Sequence, residues 1–235
     1  MAYSEVKSAF IHGNLVMQDG VYKFRWYDAW GPDVVKLIDH FVGPHITTAN
    51  TPDGYTTTLV GTSTVAATDG AGGLLLLTTD TTTDDGIQMQ ITGEAFKLAS
   101  GYPCYFGCRL AISDATETDF LAGLCITDTT LIDGMTHGVY FRKIDGSTDV
   151  YFVLEEGESE TTGVVHTMTT SYVTLEFVFD GTYIDSYVDG VLQTRLATTY
   201  LPDTEDLTPS IALLTGEDDA NTLTVDWIRC IQINA

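Results

Sequence analysis

From about Ile46 onward, short runs rich in Val, Ile, Thr, Tyr and Phe alternate with clusters of Gly, Asp, Asn and Pro. That is the pattern of successive antiparallel strands joined by tight turns. It predicts strands near Tyr55–Val60, Gly73–Thr79, Ile87–Thr92, Cys104–Ile112, Phe120–Thr127, Gly138–Lys143, Val150–Leu154, Val173–Phe179, Tyr183–Val188, Val191–Leu196, Ser210–Leu214 and Thr222–Ile233. Alternation is plainest in Leu175-Glu176-Phe177-Val178-Phe179 and in Tyr183-Ile184-Asp185-Ser186-Tyr187-Val188, where one face is apolar and packs inward. Asp145-Gly146, Asp180-Gly181 and Asp189-Gly190 each fall between two such runs, where glycine supplies the positive φ of a tight hairpin. With no βαβ alternation and no long repeat, the simplest architecture is an antiparallel meander folded into two packed sheets.

The first 43 residues read differently, being aromatic-rich and lacking the Thr-rich alternation. They are taken as an N-terminal arm (1–43) ahead of a sandwich domain (44–235). Within the arm, Pro32 to Phe41 places a proline near a first turn and apolar residues at helical spacing, which predicts one short helix. The stretch from Tyr22 to Trp30 sets large apolar side chains beside Lys23 and Arg25, two of the ten basic residues. Interface cores favour Trp, Tyr and Arg, so Tyr22, Phe24, Arg25, Trp26, Tyr27 and Trp30 are candidate partner-binding residues of a docking arm. Packing of the same segment on its own sandwich explains them equally well.

Charge and cysteines narrow the function classes. Ten Lys and Arg face 33 Asp and Glu, a formal net charge of −23. A chain held by nucleic acid needs a basic stripe to neutralise phosphates, so direct nucleic-acid binding is not expected. The acidity is not that of a disordered tail, since 44% of residues are hydrophobic. Cys104, Cys108, Cys125 and Cys230 form no CxxC pair and have no zinc-type histidine spacing. Cys104 and Cys108 on one strand would stand roughly 13 Å apart, too far to bridge, so the four are read as buried thiols. The N-terminal sequence lacks the basic start and apolar run of a signal peptide, and no stretch approaches membrane-spanning length; the expectation is folding in a cytoplasm and no membrane contact.

The order Gly138 to Gly146, then Leu175 to Gly181, then Val188-Asp189-Gly190-Val191, closed by Leu223-Thr224-Val225-Asp226-Trp227-Ile228, resembles the concanavalin-like lectin and glucanase jelly rolls over about Phe41 to Ile233. Within that group it looks most like structural proteins of tailed bacteriophages. The resemblance implies an all-β, two-sheet antiparallel jelly-roll sandwich. It further implies a virion structural protein, namely a capsid decoration or cement protein that binds a major capsid protein as a homo-oligomer. The alternative is a carbohydrate-binding module, or a tail or fibre adhesin recognising a cell-surface glycan; a degenerate glucanase is third.

Catalytic chemistry finds little support in the sequence. Retaining glycosidases need two carboxylates about 5 to 5.5 Å apart, usually on alternate residues of one strand. The densest acidic run, Glu155-Glu156-Gly157-Glu158-Ser159-Glu160, reads instead as a solvated loop, as does Asp114 with Glu117 and Asp119. His12, His40, His45, His137 and His166 stand beside no nucleophile motif. Asp84-Asp85-Gly86 and Glu217 to Asn221 carry hard oxygen ligands but not EF-hand spacing, so they read as acidic turns. The expectation is a protein that is not an enzyme, with no catalytic residues, no metal and no cofactor.

Overall fold

The computed structural model describes residues 5–43, 46, 50–130, 132 and 134–234; the candidate His45 and the first residue of the expected sandwich domain lie outside them. Nineteen strands follow in chain order: β1 (Val6–Ile11), β2 (Asn14–Asp19), β3 (Trp26–Trp30), β4 (Val34–Asp39), β5 (Tyr55–Val60), β6 (Thr64–Thr68), β7 (Leu74–Thr78), β8 (Gly86–Ile91), β9 (Phe96–Lys97), β10 (Cys104–Ile112), β11 (Thr118–Cys125), β12 (His137–Lys143), β13 (Asp149–Glu156), β14 (Ser159–Thr167), β15 (Val173–Phe179), β16 (Ile184–Val188), β17 (Val191–Leu196), β18 (Asp206–Thr215) and β19 (Thr222–Ile233). Two eight-stranded antiparallel sheets face each other. Sheet I runs β17-β16-β15-β10-β19-β7-β6 with β4 also on β19, and sheet II runs β14-β13-β12-β11-β18-β8-β5 with β9 also on β18. A small third sheet, β1-β2-β3, lies outside them.

The core follows from the period-two pattern. Phe106, Cys108 and Leu110 of β10, Leu175 and Phe177 of β15, and Phe141 and Phe152 of sheet II all point between the sheets. Phe177 lies 5.2, 5.6 and 6.4 Å, centroid to centroid, from Phe106, Phe152 and Phe141, a stack that ties the sheets together at mid-core. Each such ring contributes about 1.5 to 3 kcal/mol by burial. All four cysteines are buried free thiols, as expected. The Asp189-Gly190 hairpin is also as expected, with φ of +48° and +82° at the two central residues of the turn between Val188 and Val191.

The helix expected over Pro32 to Phe41 is a strand. Its residues 34–39 form β4 and pair along β19 from Val34↔Ile233 to Asp39↔Ile228. Val35 and Leu37 pack on the main core while Val34 and Ile38 pack on the opposite side. Over six residues an apolar cluster satisfies either period. Here β-branched Val34, Val35 and Ile38 and the open edge of β19 decide for strand. Among the described residues the helical content is a single 3-10 turn, Thr198–Tyr200. β4 also makes the last part of the 1–43 segment a strand of sheet I.

Candidate functional site

Each sheet has an outer face, and both are partly covered. Above sheet I, the β1-β2-β3 sheet buries Val16, Trp26 and Ala29 on Tyr105, Ile231 and Ile233. Arg25 adds a buried ion pair, with Nε and Nη2 each 2.5 Å from the two oxygens of Glu176, and Tyr105 donates its hydroxyl to the same carboxylate at 2.8 Å. Burial opposes the Arg25 charge, but the bond to Glu176 and its negative charge outweigh that and hold the guanidinium above its ordinary value. Phe24 stacks on Tyr187 with centroids 3.5 Å apart. Tyr22 lies against Gly190, where an added Cβ would come within 2.9 Å of its ring, and Tyr27 donates to Asp19.

Of the six candidate docking residues, the fold thus packs Tyr22, Phe24, Arg25, Trp26 and Tyr27 against their own sandwich, Tyr27 with its ring 5.6 Å from the Arg229 guanidinium. Trp30 differs, being 48% exposed beside Phe10, which is 75% exposed. Those two lie in one row across the small sheet, through Leu15.

Above sheet II, the segment that follows β11 folds back so that Ile132 and Met135 cover Leu121, Tyr140, Val153 and Ala212. Gln88 and Gln90 fasten it by donating to the carbonyls of Asp128 and Ile126. Beside the cover opens a cavity of about 220 Å³ lined by the polar residues Thr58, Asp84, Gln88 and Thr130 and by the apolar Ile132 and Leu214, among others.

On the far side of the cover sits a pair of carboxylates. The run Glu155 to Glu160, expected to be a solvated loop, is the β13–β14 hairpin, turned at Gly157 and Glu158 with φ of +59° and +64°. Glu155 stands directly opposite Glu160 in the register. Opposed residues in an antiparallel pair have Cβ atoms about 4.5 to 5.5 Å apart. Arg142 holds both oxygens of Glu160, at 3.0 and 3.1 Å, while Tyr140 donates its hydroxyl to Glu155. Burial raises the Glu155 carboxyl above its ordinary value, partly countered by the Tyr140 bond, and the Glu160 charge adds to the rise. A partly desolvated carboxyl held above its ordinary value therefore faces one that is ion-paired, an asymmetry that acid–base chemistry can use.

The two acidic turns come together through Thr83, whose hydroxyl donates to Asp218 at 3.0 Å. Asn221 organises the second one, bonding Thr215 Oγ1 at 2.8 Å and Glu217 at 3.1 Å. Among the described residues no three His, Cys, Asp or Glu side chains converge as metal ligands. The sequence reading missed Glu155 with Glu160, and also Arg109, Trp227 and Arg229 on the outer face of sheet I. An available signal was the arginine set inside apolar strand runs, Cys108-Arg109-Leu110 and Ile228-Arg229-Cys230, in a chain poor in positive charge.

The two antiparallel sheets and their order form a jelly-roll sandwich of the concanavalin-like fold. Solved structures sharing it include an endo-1,3-β-glucanase from Streptomyces sioyaensis, at TM-score 0.59 and 12% identity over 88% of this chain and 99% of that one. The carbohydrate recognition domain of Emp47p aligns at TM-score 0.58 and 10% identity over 87% and 97%. A structure from work on endo-acting O-glycanases that members of the human gut microbiota express to initiate mucin breakdown aligns at TM-score 0.56 and 13% identity over 84% and 99%. No protein-family model and no curated protein matches the chain. The likeness is one of fold, and it corrects the expectation that the protein is not an enzyme. The same sandwich carries a glucanase, so the fold gives no ground for excluding catalysis.

Proposed function

We propose that this chain engages glycans, seating a saccharide on the outer face of sheet II. The observation that carries the reading is the cavity beside the cover, where Thr58, Asp84, Gln88 and Thr130 surround apolar Ile132 and Leu214. Convergent polar groups over an apolar floor suit a sugar ring, which presents hydroxyls at its rim and C–H groups on its faces. At about 220 Å³ the cavity is below the usual range for larger ligands, about 300 to 1,000 Å³, and fits one ring of a chain. The carbohydrate recognition domain among the fold's neighbours supports this reading; a capsid decoration role has no comparable support. A glycan array probed with the labelled chain tests it. The expected result is selective binding that is lost in Asp84→Asn, a substitution that tolerates the left-handed backbone at this position, φ +67°. Binding to no glycan, or binding indifferent to Asp84→Asn, refutes the site.

A second reading, glycosidic bond cleavage, is favoured by Glu155 and Glu160. Their cross-strand placement is compatible with the roughly 5 to 5.5 Å carboxyl separation of retaining glycosidases, with Glu155 as the acid and Glu160 as the nucleophile. Sugar release from a panel of glucans and mucin glycans, abolished in both Glu155→Gln and Glu160→Gln, is the expected result on this reading. Release unchanged in either variant removes it.

A further inference from the structure

Between the N-terminal strands and the outer face of sheet I lies a cavity of about 290 Å³ lined by Arg25, Tyr27, Arg109, Thr174, Trp227 and Arg229. Three of the chain's ten basic residues meet there, in a molecule of net charge −23. Two of them are matched, Arg25 by Glu176 and Arg109 by Asp226. Arg229 is not: among the described residues no carboxylate lies within ion-pair distance of it. Its Nη1 donates to the Trp26 carbonyl at 3.3 Å, and its Nε, shut off from solvent, has no partner. The residue is nevertheless only 8% exposed.

The rings of Trp227 and Tyr27 stand 5.2 and 5.6 Å from the Arg229 guanidinium carbon. Their faces offset part of its charge but give its N–H groups no acceptor. The residue opposite Arg229 is a glycine, which lets the Tyr105 hydroxyl and the Trp227 ring close the floor. Gly107 lies directly opposite Arg229, and a Cβ there would come within 2.4 Å of the Tyr105 hydroxyl and 3.2 Å of the Trp227 ring.

A guanidinium that lines a cavity between aromatic faces and has no carboxylate partner among the described residues has the chemistry that recognises an oxyanion: its fork of N–H groups matches carboxylate, sulfate or phosphate. The ring faces also offer a flat apolar group a place to lie. We propose that this cavity binds a small ligand bearing one oxyanion, the carboxylate of an acidic sugar and a free inorganic oxyanion being two sources of the same chemistry. Arg229 anchors the anion from below. Arg109, whose side chain is 38% exposed, reaches it from the mouth. Since the surface as a whole repels anions, recognition rests on these local donors and should persist at salt concentrations that screen charges farther off.

The site lies on the opposite sheet from the saccharide cavity, and its test is separate. Calorimetric titration of the full chain with glucuronate, sulfate and phosphate, with glucose as the uncharged match to glucuronate, is expected to give saturable one-to-one binding of at least one anion. Arg229→Gln should weaken it tenfold or more, and Arg109→Gln should weaken it too. Thr174→Glu, which places a carboxylate on the cavity wall, should raise Tm and abolish anion binding, so the test survives even if Arg229→Gln does not fold. Glucuronate binding without sulfate or phosphate assigns an acidic sugar, and sulfate or phosphate binding without glucuronate assigns an inorganic oxyanion. Silence from all three anions, or equal affinity in the Arg109→Gln and Arg229→Gln chains, overturns the proposal.

Discussion

Arg25→Met would remove the charge that fixes the N-terminal sheet to the sandwich while keeping a side chain of similar reach. Glu176, wholly buried, loses both bonds from Arg25 and keeps the Tyr105 hydroxyl. Removing one partner of a buried ion pair costs about 3 to 5 kcal/mol, because the remaining charge is left uncompensated. The lower figure applies here, since the Arg25 side chain is 17% exposed and water can reach the vacated place. In a chain of this size each kcal/mol moves Tm by about 2 to 4 °C, so a 3 kcal/mol loss lowers Tm by roughly 6 to 12 °C. Scanning calorimetry at pH 7 measures it directly. Adding Glu176→Gln to the same chain should restore more than half of the loss, because a neutral amide needs no counter-charge. A loss below about 1 kcal/mol, the range of exposed pairs, would refute the argument. So would a double variant no more stable than Arg25→Met alone.

Three further outcomes are expected. The Glu155 carboxyl is raised above 4.5 by burial, so the folded chain holds that proton more tightly than the unfolded one. Stability from this group is therefore present in acid and lost as pH rises through the folded value; Glu155→Gln should unfold at higher urea than the parent at pH 7 and match it near pH 4, and the opposite trend would show the sign to be wrong. Burial pushes the Cys108, Cys125 and Cys230 thiols up, so a thiol reagent at pH 8 should label none of the four cysteines in the native chain and all of them in denaturant; rapid native labelling would contradict the packing. Truncation of residues 1–31 should lower the urea midpoint by uncovering Tyr105, Ile231 and Ile233, and truncation of 1–43 should lower it further by stripping β4 from β19; equal midpoints would mean that β4 adds nothing.

Strands were legible where one side of the chain is apolar and the other is not. Tyr55–Val60, Cys104–Ile112, Val173–Phe179, Val191–Leu196 and Thr222–Ile233 have the bounds read from the sequence; Val191–Leu196, although an exposed edge strand, was marked by the Asp189-Gly190 turn before it. β14 was not legible because it is an edge strand, largely exposed on both faces, so Ser159 to Thr167 carry no apolar period. The same silence hid the carboxylate pair. Glu160 belongs to that strand, and the hairpin turns at Gly157-Glu158 rather than at an Asn-Gly or Asp-Gly pair. β4 was misread because its partner lies nearly two hundred residues further on, and no local window contains it. The cavity at Arg229 has the same cause: its walls come from β3, β10, β15 and β19, which no spacing rule links.

β18 and β19, the last two strands in chain order, are also the ones on which the sheets converge. β19 carries β10 along one edge and both β7 and β4 along the other; β18 does the same for β11, β8 and β9. A ribosome would therefore release β4, β7, β8 and β10 long before the strands that join them exist. Until Thr222 to Ile233 emerge, the halves of sheet I have no common member, and their unpaired edges stay open to solvent and to other chains. Folding of this sandwich must wait for the final strand, and the slow, non-local pairing that follows makes a nascent or prematurely ended chain the form most exposed to aggregation.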